Sequence, residues 1–110
     1  MVLLKDLKMK LSNQTEVFLL LSEQGYDISF PNAYPERFLF ADKNNEQFDV
    51  TFKDDLVTSI SCKVANGYGC WSLYPNLTWK WLSVTDLCES PLSSEIKSLA
   101  ESIMVKFRCN

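Results

Sequence analysis

The chain has 110 residues, 46% hydrophobic and 23% charged, with seven Phe, four Tyr, three Trp and a net charge of −3. This size and mixture exclude a disordered chain and two independent cores, and the aromatics can fill one core without staples. The absence of His excludes Ser–His–Asp triads, Cys–His dyads and His-ligated metal centres.

Leu3 to Gln24 reads as helix in one or two pieces. Leu4, Leu7 and Leu11 share a helical face, although Leu7, Met9 and Leu11 also alternate with polar neighbours as a short strand would. The second piece has clearer punctuation: Asn13 and Glu16 have capping-box spacing, Val17, Leu20, Leu21 and Gln24 follow, and Gly25 sits where a C-cap glycine belongs. Pro31 and Pro35 then forbid a continuous helix.

A meander follows. Phe38 and Phe40 alternate with Arg37 and Leu39, and Lys43-Asn44-Asn45-Glu46 makes a turn. Phe48, Val50 and Phe52 alternate with Asp49, Thr51 and Lys53, the strongest strand pattern in the chain. Asp54-Asp55 supplies the next turn, and alternation from Leu56 to Val64 puts Leu56, Thr58, Ile60, Cys62 and Val64 on one side. Ala65-Asn66-Gly67 is another turn signal, and the runs Cys70 to Tyr74 and Leu77 to Leu82 flank Pro75-Asn76. At the C-terminal end Ser90 can cap a helix with Pro91 at its first position. Leu92, Ile96, Leu99, Ile103 and Phe107 form its apolar stripe. The expectation is a single α+β domain over residues 1–110: an N-terminal helical region, a four- to five-stranded antiparallel meander and a C-terminal amphipathic helix packed on one sheet face.

The opening Met1-Val2-Leu3-Leu4-Lys5-Asp6 is too short an apolar run for a secretory signal, and no stretch has the length of a membrane span. The sequence therefore predicts a soluble cytoplasmic protein. Cys62, Cys70, Cys88 and Cys109 are read as free thiols, with Cys62 a small core hydrophobe. They lack the C-x-x-C clusters of a zinc site, so no metal and no cofactor is expected. The sequons Asn13-Gln14-Thr15 and Asn76-Leu77-Thr78 have no role without export.

The remaining chemistry is sparse. Cys70, beside Gly69 and Trp71, is the one cysteine in a loop-like setting and reads as an inert thiol in a strand, since without His a cysteine nucleophile needs another activating device. The carboxylate pairs Asp54/Asp55 and Asp86/Glu89 lie where turn residues point into water. Asp42-x-Asn44-x-Glu46 copies the start of a calcium loop, but its sixth and twelfth positions are Gln47 and Lys53 instead of Gly and Glu. Gly67-Tyr68-Gly69 lacks the third glycine of a dinucleotide site.

The stretch Ser12-Asn13-Gln14-Thr15-Glu16-Val17 through Leu21 and Glu23-Gln24-Gly25-Tyr26-Asp27 resembles the middle of the winged-helix DNA-binding domain of arginine repressors. That resemblance implies a recognition helix next and a β-hairpin wing after it. The chain departs from the pattern at Ser29-Phe30-Pro31-Asn32-Ala33-Tyr34-Pro35, which cannot form that helix, so no DNA-contacting residue carries over. Residues 26–90 hold five Lys or Arg against nine Asp or Glu, which repels a phosphate backbone, and no nucleic-acid partner is expected.

Two surface features remain. The first hairpin holds five acidic and two basic residues between Asp42 and Asp55, which predicts an acidic projection with Asp49, Asp54 and Asp55 as contacts. Trp71, Tyr74, Trp79 and Trp81 crowd eleven residues, so Trp71, Tyr74 and Trp81 are candidates for an aromatic pocket. The first feature predicts a non-enzymatic interaction protein, an acidic inhibitor or immunity-type partner of a basic protein, with homodimerisation through a sheet edge as an option. The second predicts a small-molecule-binding domain or weak enzyme.

Overall fold

The computed structural model describes residues 11–63, 69–83 and 91–109. The first helical piece before Leu11, the Ala65-Asn66-Gly67 turn, the Asp86/Glu89 pair, Cys88 and the proposed Ser90 cap lie outside them.

Helix α1 (Asn13–Glu23) is capped by Ser12, one residue earlier than the Asn13/Glu16 pattern predicts. Ser12 Oγ accepts the Thr15 N–H at 3.1 Å, while Asn13 is engaged with Asp55 through both its backbone N–H and its side-chain amide. The helix ends as expected. Gly25 has φ +91°, its N–H donates to Ser22 O, and the Tyr26 N–H reaches back to Leu21 O. This is a Schellman closure, and its apolar contact is between buried Leu21 and Tyr26.

A six-stranded antiparallel meander follows in sequence order: β1 (Asp27–Ser29), β2 (Phe38–Lys43), β3 (Glu46–Lys53), β4 (Leu56–Lys63), β5 (Gly69–Leu73) and β6 (Trp79–Ser83). The strand beyond expectation is β1, three residues too short to show an alternation, which pairs Asp27 with Asp42 and Ser29 with Phe40. It also takes the place a recognition helix would need after α1. Asn44-Asn45 and Asp54-Asp55 close their hairpins with both residues at positive φ, the geometry of two-residue turns that match strand twist.

Three face assignments differ from the alternation. Leu39 and Ala41 are the buried residues of β2, while Phe38 and Phe40 are half-buried on the other face, their rings stacked at 6.2 Å. In β4 the register slips between Thr51 and Phe52, leaving Thr58 as an extra residue. That bulge turns Val57 inward and Leu56 out, so Leu56 and Thr58 do not share the face of Ile60 and Cys62. Leu77 is not in a strand. It sits at φ +66° in the β5–β6 turn, 40% exposed.

Helix α2 (Ser94–Phe107) starts three residues after Pro91, capped by Ser93, whose Oγ accepts the Ile96 N–H. Ile96, Ala100, Ile103, Met104 and Phe107 are buried, with Leu92 and Leu99 packed against them. Helix α1 lies over β1 and β2, and α2 over β4 and β5. Their buried residues form one cluster with Leu39, Val50, Phe48, Ile60 and Leu73, so both helices cover the same sheet face. No helix among the described residues is long and apolar enough to cross a membrane.

Candidate functional site

The two predicted clusters are both taken apart by the sheet. Asp55 is a structural residue: its carboxylate accepts the Asn13 N–H at 2.7 Å and the Gln14 N–H at 3.1 Å, and its carbonyl accepts from Asn13 Nδ2. A negative charge therefore sits at the positive end of α1, satisfying amides that have no partner within the helix. Asp54 stays at the turn, exposed, beside a groove shared with Tyr34, Glu36 and Arg37. Asp49 lies up the strand on the outer face, half-buried, with Lys63 at 3.9 Å and a hydrogen bond from Gln47. Its carboxyl is pushed above its ordinary range mainly by burial, which Lys63 only partly offsets, and Asp42 adds repulsion.

The aromatic cluster divides by face. Trp71 and Trp81 are cross-strand partners on the helix side, with ring centroids 5.5 Å apart. Trp79 is on that side too, and its Nε1 donates to Glu101 of α2 at 2.9 Å. The Trp81 ring lies over Gly69, where an added Cβ would collide with it, so only glycine fits without displacement. Trp81 Nε1 is buried with no hydrogen-bond partner among the described residues. Tyr74 belongs to the opposite face, where the Lys80 ammonium lies 5.8 Å from its ring centroid. The cleft lined by Trp71, Trp79, Leu92 and Lys97 holds about 120 Å³, well below the several hundred of a drug-sized ligand site. Trp79 is tied to α2 through Glu101, and Trp71 lines the cleft beside it.

Among the cysteines, Cys62 is buried beneath the helices, and burial pushes its thiol far up, leaving it an inert core residue. Cys70 faces the other way as the cross-strand partner of Lys63, and both thiols are free. Among the described residues no group of three His, Cys, Asp or Glu side chains could hold a metal ion.

The feature that the sequence did not single out is the outer face itself. No described helix lies on it, and the strand register arranges its residues in rows. One row runs Ser29, Phe40, Asp49, Ser61, Ser72, Lys80 from β1 to β6, and the next runs Asp27, Asp42, Gln47, Lys63, Cys70, Leu82. Phe38 and Tyr74 extend the face at the end nearest the β5–β6 turn. The charges separate along these rows. Asp27, Asp42 and Asp49 sit on β1 to β3, and Lys63 and Lys80 on β4 to β6; Lys53, at the turn end of β3, is the exception. Asp27 and Asp42 are directly opposite each other and both exposed. Like charges in that position weaken a sheet. Ser61 and Ser72 share a hydrogen bond at 3.2 Å in the middle of the face, and Ser72 is buried. Sequence reading missed Asp27, because β1 shows no strand pattern, and Lys63 and Lys80, whose alignment with the acidic strands depends on register.

No protein-family model, curated protein or solved structure matches this chain.

Proposed function

We propose that this chain is a non-enzymatic interaction domain whose open sheet face receives a protein partner, with the Asp27 and Asp42 pair taking a cationic group of that partner. The observation that carries this reading is the facing Asp27–Asp42 pair on an uncovered face. Neither carboxylate has an ion-pair partner among the described residues, and a basic side chain docked between the two would remove their repulsion. Half-buried Phe38, Phe40 and Tyr74 beside it supply the rigid aromatic area that interface centres favour. The acidic-partner idea thus moves from the hairpin tip to the sheet face, since Asp55 is occupied by α1 and Asp49 by Lys63.

The test is photo-cross-linking in the native host from position 82, where Leu82 is exposed on the open face, against position 105, where Val105 is exposed on α2. A protein captured from position 82 and lost in the Asp27→Lys/Asp42→Lys variant is the expected result. Capture only from position 105, or capture indifferent to the charge reversal, contradicts the reading.

A further inference from the structure

Resting on that reading, the geometry points to a second copy of this chain as the partner of the open face. The charges on the face are polarised rather than uniform: three carboxylates on β1 to β3, two ammonium groups on β4 and β6. A face acidic at one end and basic at the other complements itself under a two-fold rotation. An axis running along the strands, between β3 and β4, lays β1 over the partner's β6, β2 over its β5 and β3 over its β4. Because rotation about that axis keeps position along the strands, each cross-sheet row meets itself in reverse.

The consequences follow residue by residue. The row containing Asp49 and Lys80 places Ser29 over the partner's Lys80 and Asp49 over the partner's Ser61. The adjacent row places Asp27 over the partner's Leu82 and Asp42 over the partner's Cys70, one strand from the partner's Lys63 on one side and from the strand of the partner's Lys80 on the other. Phe38 of β2 meets the partner's Tyr74, beyond the end of β5, an aromatic pair on each side of the axis. Ser61, Ser72, Thr51 and Ser59 occupy the centre, small enough for two sheets to approach at the roughly 10 Å spacing of packed sheets. Six strands about 4.8 Å apart give a face roughly 25 Å across. With strands of three to eight residues at about 3.4 Å per residue, the projected face is about 500 Å², which side-chain relief raises toward the roughly 800 Å² per partner of a standard interface. The association joins faces, not edges, which differs from the edge pairing expected from sequence.

The experiment is sedimentation equilibrium on the full chain from micromolar to millimolar concentration, with two charge-reversed variants. One carries Asp27→Lys and Asp42→Lys, making both ends of the face basic; the other carries Lys63→Glu and Lys80→Glu, making both ends acidic. Wild type is expected to dimerise, more weakly as salt rises. Each variant alone should dimerise about tenfold or more weaker, because like charges then meet. Mixing the two should restore a 1:1 dimer, which also shows that both are folded. A wild type that stays monomeric throughout overturns the inference, as does a dimer indifferent to the reversals. The cross-linker at position 82 separates this failure from that of the broader reading. With monomeric wild type, a foreign protein captured there leaves the interaction surface standing, and no capture removes both.

Discussion

Phe48→Ala is expected to lower the stability of the domain by about 3–5 kcal/mol, the usual cost of deleting a buried aromatic side chain. Phe48 is 1% exposed in the central strand β3, with Ala41 and Cys62 as its neighbours on either side. Its ring meets Tyr26 edge-on at 5.3 Å, and Tyr26 in turn closes α1 through the Schellman turn. Truncation therefore removes transfer energy, leaves a cavity under two elements and loosens the junction between helix and sheet. Domains of this kind have only about 5–15 kcal/mol in total, so the variant loses much of its margin. Urea unfolding measures the change, with Phe48→Leu as the comparison that keeps most of the volume and should lose far less. A loss below about 1 kcal/mol for Phe48→Ala would place the ring outside a closed core.

Asp55→Ala is expected to cost about 2 kcal/mol, since it removes a charge-assisted cap that holds two amides of the first turn of α1. Those amides come from Asn13 and Gln14, 42 and 41 residues away in sequence, so the cap also joins the β3–β4 turn to the helix. The backbone strain at this position must be considered separately. Asp55 has φ +63°, where alanine is disfavoured and asparagine is tolerated. Asp55→Asn should therefore fall between wild type and Asp55→Ala, keeping one acceptor and the turn but losing the charge. Thermal unfolding of the three proteins gives that order, and equal melting of all three would show that the carboxylate does not hold the helix.

The contrast between Asp55 and Asp54 shows where the sequence stops being informative. Both read as turn residues, and both take positive φ in a two-residue turn. Which of them would reach a helix end depends on how α1 lies beside the β3–β4 hairpin, a relation of long sequence separation. The elements themselves were legible because their signals are local: the period of α2, the strict alternation of β3, the glycine after α1 and the Asn-Asn and Asp-Asp turns. The strand faces were less so. A single bulge at Thr58 reverses the assignment of Leu56 and Val57, and Phe38 and Phe40 look like core until the more deeply buried Leu39 and Ala41 are placed. The aromatic residues were legible as a cluster but not as two faces, since the β5–β6 hairpin sends Trp71, Trp79 and Trp81 one way and Tyr74 the other. The charge polarity of the open face was least accessible. It is a property of six strands in register, and no segment of the sequence contains it.

Hydroxyl-radical footprinting of the full chain, dilute and concentrated, tests most directly whether two copies of the chain meet through the open face. Phe38, Phe40 and Tyr74 report on that face, and Tyr34, 62% exposed in the loop before β2, serves as the reference. Protection of Phe38, Phe40 and Tyr74 that grows with concentration while Tyr34 remains labelled is the predicted result. Labelling of the three that is the same at every concentration, or protection shared equally by Tyr34, would contradict it.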